Sequence, residues 1–287
     1  MGGFVVGAVF GEAFAATIGG QILAFAINMV VSSVISSVFA PDAPNQPNAV
    51  SQPNPGNRQQ APPAGDNKLP VVYGQAYVGG IIVDMSISSD NQDIYWVFAL
   101  SEVTNTETGG TPDTFTFGNI YWGGKKVVFG TTPGQTYKVV GLLDESTSET
   151  QDISGYMDIY LYKNGSSSGV NTGLTAIQVM SASNLIYQWD ATKLMSNTVF
   201  AIVHMKYSQS RNLVSLNQTR FQITNSRTLP GDCFLDYFTS TRYGAAIPLA
   251  QVDTASLTDL NTYSSSTIPY TTYSGGSATV SKFAFNG

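Results

Sequence analysis

From residue 69 onward the chain alternates apolar and polar positions in short runs. The runs 71–88, 93–102, 115–130, 135–144, 155–165, 197–207 and 219–227 are rich in β-branched and aromatic residues, and Gly, Asn, Ser and Pro clusters separate them. Period-two patterning of this kind predicts half-buried strands. About seven to ten strands over 69–228 predict a β-barrel or sandwich domain. Gly123-Gly124 predicts a tight hairpin turn, and Asn164-Gly165 the end of a strand. After Leu229 the period lengthens. Phe234, Leu235, Tyr237 and Phe238 fall at helical spacing, predicting a helix over 231–243 with Asp232 as N-cap and Gly244 as its stop at positive φ. A second short helix is predicted over 253–263, capped by Asp253 or Thr254 with Leu257 and Leu260 facing inward, then a closing strand over 278–285. The expected class is mainly β (α+β), with residues 229–287 as a helical insertion and closing strand.

The first forty residues follow another rule. Residues 2–40 are apolar and rich in Gly and Ala, with Glu12 the one charge. As one helix they would span about 57 Å, against about 30 Å for a hydrocarbon core. A break at Gly19-Gly20 would leave a segment, 21–40, long enough to cross a bilayer. The first basic residue is Arg58, so neither a signal peptide nor a positive-inside anchor is specified. Gly3, Gly7 and Gly11, four apart, give a face on which helices approach closely, beside Glu12. Three readings stay open for this helical arm: a buried helix in an oligomer core, a segment stored and later delivered to a membrane, or a resident anchor. Residues 41–68 form a Pro/Asn-rich linker, whose prolines forbid helix and favour an extended, semi-stiff path.

Composition narrows the function. Charged residues make up 11% of the 287 positions, less than half the roughly 25% of ordinary domains. Thirteen Lys+Arg against nineteen Asp+Glu, a net charge of −6, argue against phosphate-driven nucleic-acid binding. One Cys and one His exclude an intrachain disulfide, a multi-Cys metal site and paired-His sites. His204 lies on the strand face that also carries Phe200, Ile202 and Lys206, and reads as a hydrogen-bonded strand histidine. Cys233 reads as a packing residue. The carboxylates are scattered, and the double-glycine turns lack the Lys-Ser/Thr of a phosphate loop. No catalytic residue, metal site or cofactor is expected.

Two stretches carry a resemblance. In 69–90, with the strand that follows, Pro70, Tyr73, Gly74, Val78, Gly79, Gly80 and Glu102 match a "Pro-x-x-Tyr-Gly … Val-Gly-Gly" strand pair ending in a Ser/Glu turn. In 230–263, Asp236, Tyr237, Thr239, Arg242, Tyr243, Gly244, Ile247, Pro248, Asp253 and Ser256 match, in order, an "Asp-Tyr-Leu-Thr … Arg-Tyr-Gly-x-Gly-Ile-Pro … Ile-Asp … Ser" segment. Together they resemble the N-terminal portion of the tail-tip, or host-specificity, proteins of long-tailed bacteriophages of the lambda type, which build the baseplate hub. Leu229-Pro230-Gly231 stands where the family has Asn-Pro-Ala, and Ala246 replaces the second Gly. The Gly/Ala-rich start, the linker and the Pro-Val-x-Tyr-Gly strand also resemble the small tail-tip assembly protein of the same phages. Family proteins are far longer, so a chain ending at Gly287 would supply the tube-proximal half of a hub. The resemblance implies a structural virion protein at the distal end of the phage tail. Its partners would be copies of itself in a ring of three or six and other tail-tube and tail-tip proteins, with roles in host attachment and genome ejection. The alternative is a membrane-inserting ejection or plug protein that meets the host membrane through residues 1–40. Neither reading involves a specific nucleic acid.

Overall fold

The structure, a computed structural model, describes residues 57–58, 68–107, 110–165 and 167–286. The apolar arm with Gly3, Gly7, Gly11 and Glu12, and most of the linker, lie outside the described residues. The fold is mainly β, as the alternation predicts. In chain order the strands are β1 (Asn57–Arg58), β2 (Gln75–Val78), β3 (Ile81–Ile87), β4 (Asp93–Glu102), β5 (Phe115–Trp122), β6 (Lys125–Phe129), β7 (Val139–Asp144), β8 (Glu149–Asp152), β9 (Met157–Tyr162), β10 (Thr198–Lys206), β11 (Thr219–Asn225), β12 (Thr267–Thr271) and β13 (Ser277–Ser281). The helices are α1 (Ala176–Met180), α2 (Pro230–Thr239) and α3 (Thr254–Ser265).

Two sheets face each other. The first has the order β1-β2-β11-β5-β6-β7-β8, the second β3-β4-β10-β9. Ala76, Val78, Ile120, Trp122, Phe221 and Ile223 of the first pack against Trp96, Phe98, Leu100, Ile159, Val203 and Met205 of the second in one continuous core. The architecture is thus a sandwich, stabilised chiefly by removing this apolar area from water. Strands β4 and β10 are apolar almost throughout because both their faces are covered. Val97, Phe200 and Ile202 point away from the sandwich into a second cluster with Tyr160, Tyr162 and Trp189, roofed by Ala176, Val179 and Met180 of α1. The Tyr162 and Phe200 rings stack at 4.6 Å. Helix α1 has no counterpart in the sequence reading. Five residues are too few to show a period, and a capping box between Thr175 and Gln178 holds it.

One extended stretch serves both sheets. It leaves the first sheet at Val78 and enters the second at Ile81, crossing at Gly79-Gly80. Gly80 has φ 74°, and a Cβ there would stand 2.9 Å from Leu100 Cδ2 and 3.2 Å from Phe98 Cβ. Only glycine makes that crossing without strain. The turn at Gly123-Gly124 joins β5 to β6 with both residues at positive φ (57° and 83°), as a tight primed turn requires.

Past Asn225 the chain builds a C-terminal lobe from α2, α3 and a separate ribbon of β12 and β13. Helix α2 starts one residue earlier than the spacing predicts, with Leu229 as N-cap and Pro230 in the first turn, so Asp232 lies inside it. It also ends sooner, at Thr239, with Ser240 in extended conformation. The following turn folds back on the helix: Ala245 N donates to Tyr237 O (2.8 Å) and Ile247 N to Phe238 O (2.7 Å). Those bonds satisfy end carbonyls that a longer helix would otherwise have used. Gly244 is therefore not the left-handed stop, and the positive φ falls on Ala246 (54°). Gly244 is required for another reason, since a Cβ there would lie 1.9 Å from Tyr237 O. Asp253 caps α3 as expected, its Oδ1 accepting from Ser256 N (3.2 Å). Leu257 and Leu260 are half-buried. The closing strand is shorter than predicted and pairs with β12 rather than with either large sheet.

Candidate functional site: a buried polar seam

The two resembling stretches meet where α2 and its trailing turn lie against the sandwich. Asp236 projects from α2 and is 9% exposed. Its Oδ2 accepts hydrogen bonds from the Tyr73 hydroxyl (2.6 Å) and the Tyr243 hydroxyl (2.7 Å), and its Oδ1 from Asn105 N (2.9 Å). The carboxylate thus holds the nearby Tyr243 together with two groups more than 130 positions away, Tyr73 and Asn105. Burial, then the Asp236 hydrogen bond and charge, push both phenols far above the ordinary tyrosine range, so both remain donors.

Ion pairs flank this node. The Arg227 guanidinium grips Asp113 with two bonds, Nε to Oδ2 (2.6 Å) and Nη2 to Oδ1 (3.3 Å), and its Nη1 donates to Asp232 O (3.1 Å). Thr104 Oγ1 donates to the same Asp113 Oδ2 (2.6 Å), and Asn225 Nδ2 donates to Thr104 Oγ1 (2.9 Å) and Val72 O (2.7 Å). On the other side Arg242 Nη2 lies 2.8 Å from Glu102 Oε2. Burial of Glu102 raises its pKa, and the adjacent Arg242 charge offsets this in part. Glu107 Oε2 accepts from Thr241 N (2.5 Å) and Thr241 Oγ1 (3.0 Å).

Backbone geometry closes the seam. Gly74 has φ 63°, and a Cβ there would lie 1.8 Å from Phe285 O. Its N donates to Arg227 O (2.9 Å), while its O accepts from Asn225 N (2.7 Å). Gln75 N donates to Asn286 Oδ1 (3.0 Å), which ties the last described residues to β2. Pro70 contributes its carbonyl, which accepts from Glu102 N (3.0 Å). Cys233 is buried against the Arg227 carbonyl, and burial pushes its thiol up to about 12.

Of the residues singled out in the sequence, the seam thus gathers Pro70, Tyr73, Gly74, Asp236, Arg242, Tyr243 and Gly244. Gly79 and Gly80 make the sheet crossing instead. Tyr237 is exposed, Pro248 precedes a 3-10 turn at Leu249–Gln251, and Asp253 caps α3. Sequence reasoning missed Arg227, Asp113, Asn225, Thr104, Asn105 and Glu107. None has a local signature, because each is defined by a partner more than a hundred residues away or by a backbone group across the seam. Every side chain at the node is engaged in holding another part of the chain, an arrangement suited to fixing one lobe on another. Among the described residues no group of three or more His, Cys, Asp or Glu could hold a metal, and no helix is long and apolar enough to cross a membrane.

No family model and no curated protein matches the chain. Among solved structures it is similar to a chain from the virion of a native gene transfer agent particle, at 12% identity with a TM-score of 0.35, covering 77% of this chain. It spans 37% of that chain's length.

Proposed function

We propose that the protein is a structural virion component of a bacteriophage-type tail tip, part of the hub that closes the distal end of the tail tube and takes part in host attachment and genome ejection. The observation that carries this reading is the Tyr73–Asp236 bond, spanning 163 positions, which unites the two stretches resembling lambda-type hub proteins at one buried carboxylate. Motif residues without chemistry to perform fit a part whose task is to hold shape under load. Low charge suits surfaces that cover one another in a ring, since few groups lose hydration on assembly. A net charge of −6 suits a conduit from which DNA phosphates must not be retained. In this reading the protein works without catalysis, as a homo-oligomer in contact with other tail proteins. Cryo-electron microscopy of intact tails tests it: ring density for residues 69–286 at the distal end is expected, and its absence from the particle overturns the proposal. A zymogram tests the non-catalytic part, and clearing of cell-wall material by purified protein would refute it.

A second reading rests on residues 2–40, whose apolar composition with one charge demands cover from protein or lipid. In it the arm plugs the tube and enters the host membrane on ejection. Full-length protein should then permeabilise liposomes and the 41–287 fragment should not. Equal leakage from both leaves the arm a structural plug.

A further inference from the structure

A second polar cluster lies away from the seam, on the outer face of the four-stranded sheet, around the chain's one histidine. In the strand register His204 of β10 stands opposite Tyr95 of β4 on one side and Asp158 of β9 on the other. Its ring stacks on Tyr95 with centroids 4.4 Å apart and planes 15° from parallel. Nδ1 lies 3.0 Å from Asp158 Oδ2, and Nε2 lies 2.8 Å from Asp93 Oδ1 at the start of β4. The three side chains are 14%, 20% and 17% exposed, so solvent screens the contacts weakly.

The geometry favours the protonated ring. A neutral imidazole carries one N–H, so against two carboxylates one ring nitrogen would turn its lone pair to an oxygen lone pair. The imidazolium donates to both. The charged and titratable groups around the ring are Asp93 and Tyr95 from β4, Asp158 and Tyr160 from β9, Lys206 further along β10, and Lys138, which bridges to Asp158. Without the ring's charge, two carboxylates would share a partly buried face whose flanking cations, Lys206 opposite Asp93 and Lys138 opposite Asp158, are both exposed.

We propose that His204 is a cationic latch that holds β4, β10 and the edge strand β9 together while its ring is protonated and releases the start of β9 when the ring gives up that proton. Strand β9 is the part of the sheet with most to lose. Among the described residues its outer edge makes no further ladder. It is sealed instead by the Asn171 side chain, which accepts from Leu161 N (3.0 Å) and donates to Ile159 O (2.6 Å), and by an isolated bridge from Lys138 to Asp158. The turn before β9 is held by the Arg211 guanidinium, 4.2 Å over the Tyr156 ring, and by Lys206 N donating to Tyr156 O (2.8 Å). Burial by itself would lower the His204 pKa. The hydrogen bonds and charges of Asp158 and Asp93 outweigh it and raise the pKa above 6.5. The sign follows: the folded state holds the proton more tightly than the unfolded chain. The latch therefore stabilises fully below 6.5 and is lost as pH rises through the folded value.

A single histidine makes the test unambiguous. The full-length protein, labelled with 15N in its imidazole, is titrated by NMR while hydrogen exchange is followed at the β9 amides. Two protonated ring nitrogens below the midpoint, a midpoint above 6.5, and loss of β9 protection over the same pH range are expected, after correction for the intrinsic hydroxide-catalysed rate. Asp93→Asn and Asp158→Asn should each move the midpoint down. A midpoint at or below 6.5, or a raised midpoint with β9 protection unchanged across it, overturns the latch. The wild-type titration alone decides the first point, so the proposal does not depend on any variant folding.

Discussion

Removing the Asp236 carboxylate would leave two phenols and the Asn105 N–H inside the seam without their acceptor. Desolvated donors without partners cost more than the bonds they formed. Asp236→Ala should therefore destabilise by about 3 kcal/mol, and Tyr73→Phe by about 1 kcal/mol, because the second change leaves Asp236 with two donors. Urea unfolding midpoints at constant slope measure both. Gly244 gives a sharper residue-scale case. Its requirement is space below the Tyr237 carbonyl, so Gly244→Ala should cost about 1–3 kcal/mol even though φ is ordinary there. If thermal melts show no change, the fold-back turn is looser than the geometry states. The resemblance singles out Tyr73, Asp236, Arg242, Tyr243 and Gly244, and an arginine at a helix end invites a carboxylate, but nothing in the sequence says which partners these residues meet. Arg-Tyr-Gly after an apolar helical pattern predicts a helix end, yet Arg242 and Tyr243 leave the helix to reach Glu102 and Asp236. Those partners belong to other segments, and no local period announces them.

Elements were legible in proportion to their regularity. The longer strands of both sheets fall in the predicted runs, β4 and β10 as near-continuous apolar stretches rather than by alternation, and the β5–β6 turn sits on the two glycines that predict it. Helix α1 and strand β8 are too short for a period to show. Nor does the pattern reveal that 71–88 divides between two sheets, since both halves of that run are apolar and extended. The division depends on Gly80 clearing Leu100 and Phe98. The β5–β6 turn makes a constructive prediction. Gly123 sits at φ 57° with its would-be Cβ 3.4 Å from the Asn217 side chain, an ordinary contact. Asn is favoured at that turn position and limits the unfolded chain, so Gly123→Asn should stabilise by about 0.5 kcal/mol. A lower melting temperature would contradict the assigned turn. The two C-terminal helices make the opposite case: a Cβ on Gly231 would lie 2.1 Å from Leu257 O. Gly231→Ala should push α2 and α3 apart and loosen the lobe.

At the scale of the whole molecule, the sandwich and the C-terminal lobe differ in how they are secured. The sandwich closes over a large apolar core. The lobe is held by the polar seam and a few aromatic contacts such as Tyr73 with Phe285 (6.1 Å). Polar seams give position more than energy, so the lobe should open below the global unfolding free energy. Hydrogen exchange should show amides of 230–281 exchanging before those of β4 and β10. Asp236→Ala should widen the gap without touching β10 protection. Equal protection across lobe and sandwich would mean one cooperative unit.

The buried Cys233 has a practical consequence. With the residue 2% exposed and its thiol raised to about 12, the chain's one sulfhydryl stays protonated and covered at the pH of ordinary maleimide chemistry. The wild-type protein is thus silent to thiol probes. A cysteine introduced at exposed Tyr273 or Val83 would be the sole reactive point on the molecule, so a fluorophore or spin label could report one chosen position of the chain against a dark background.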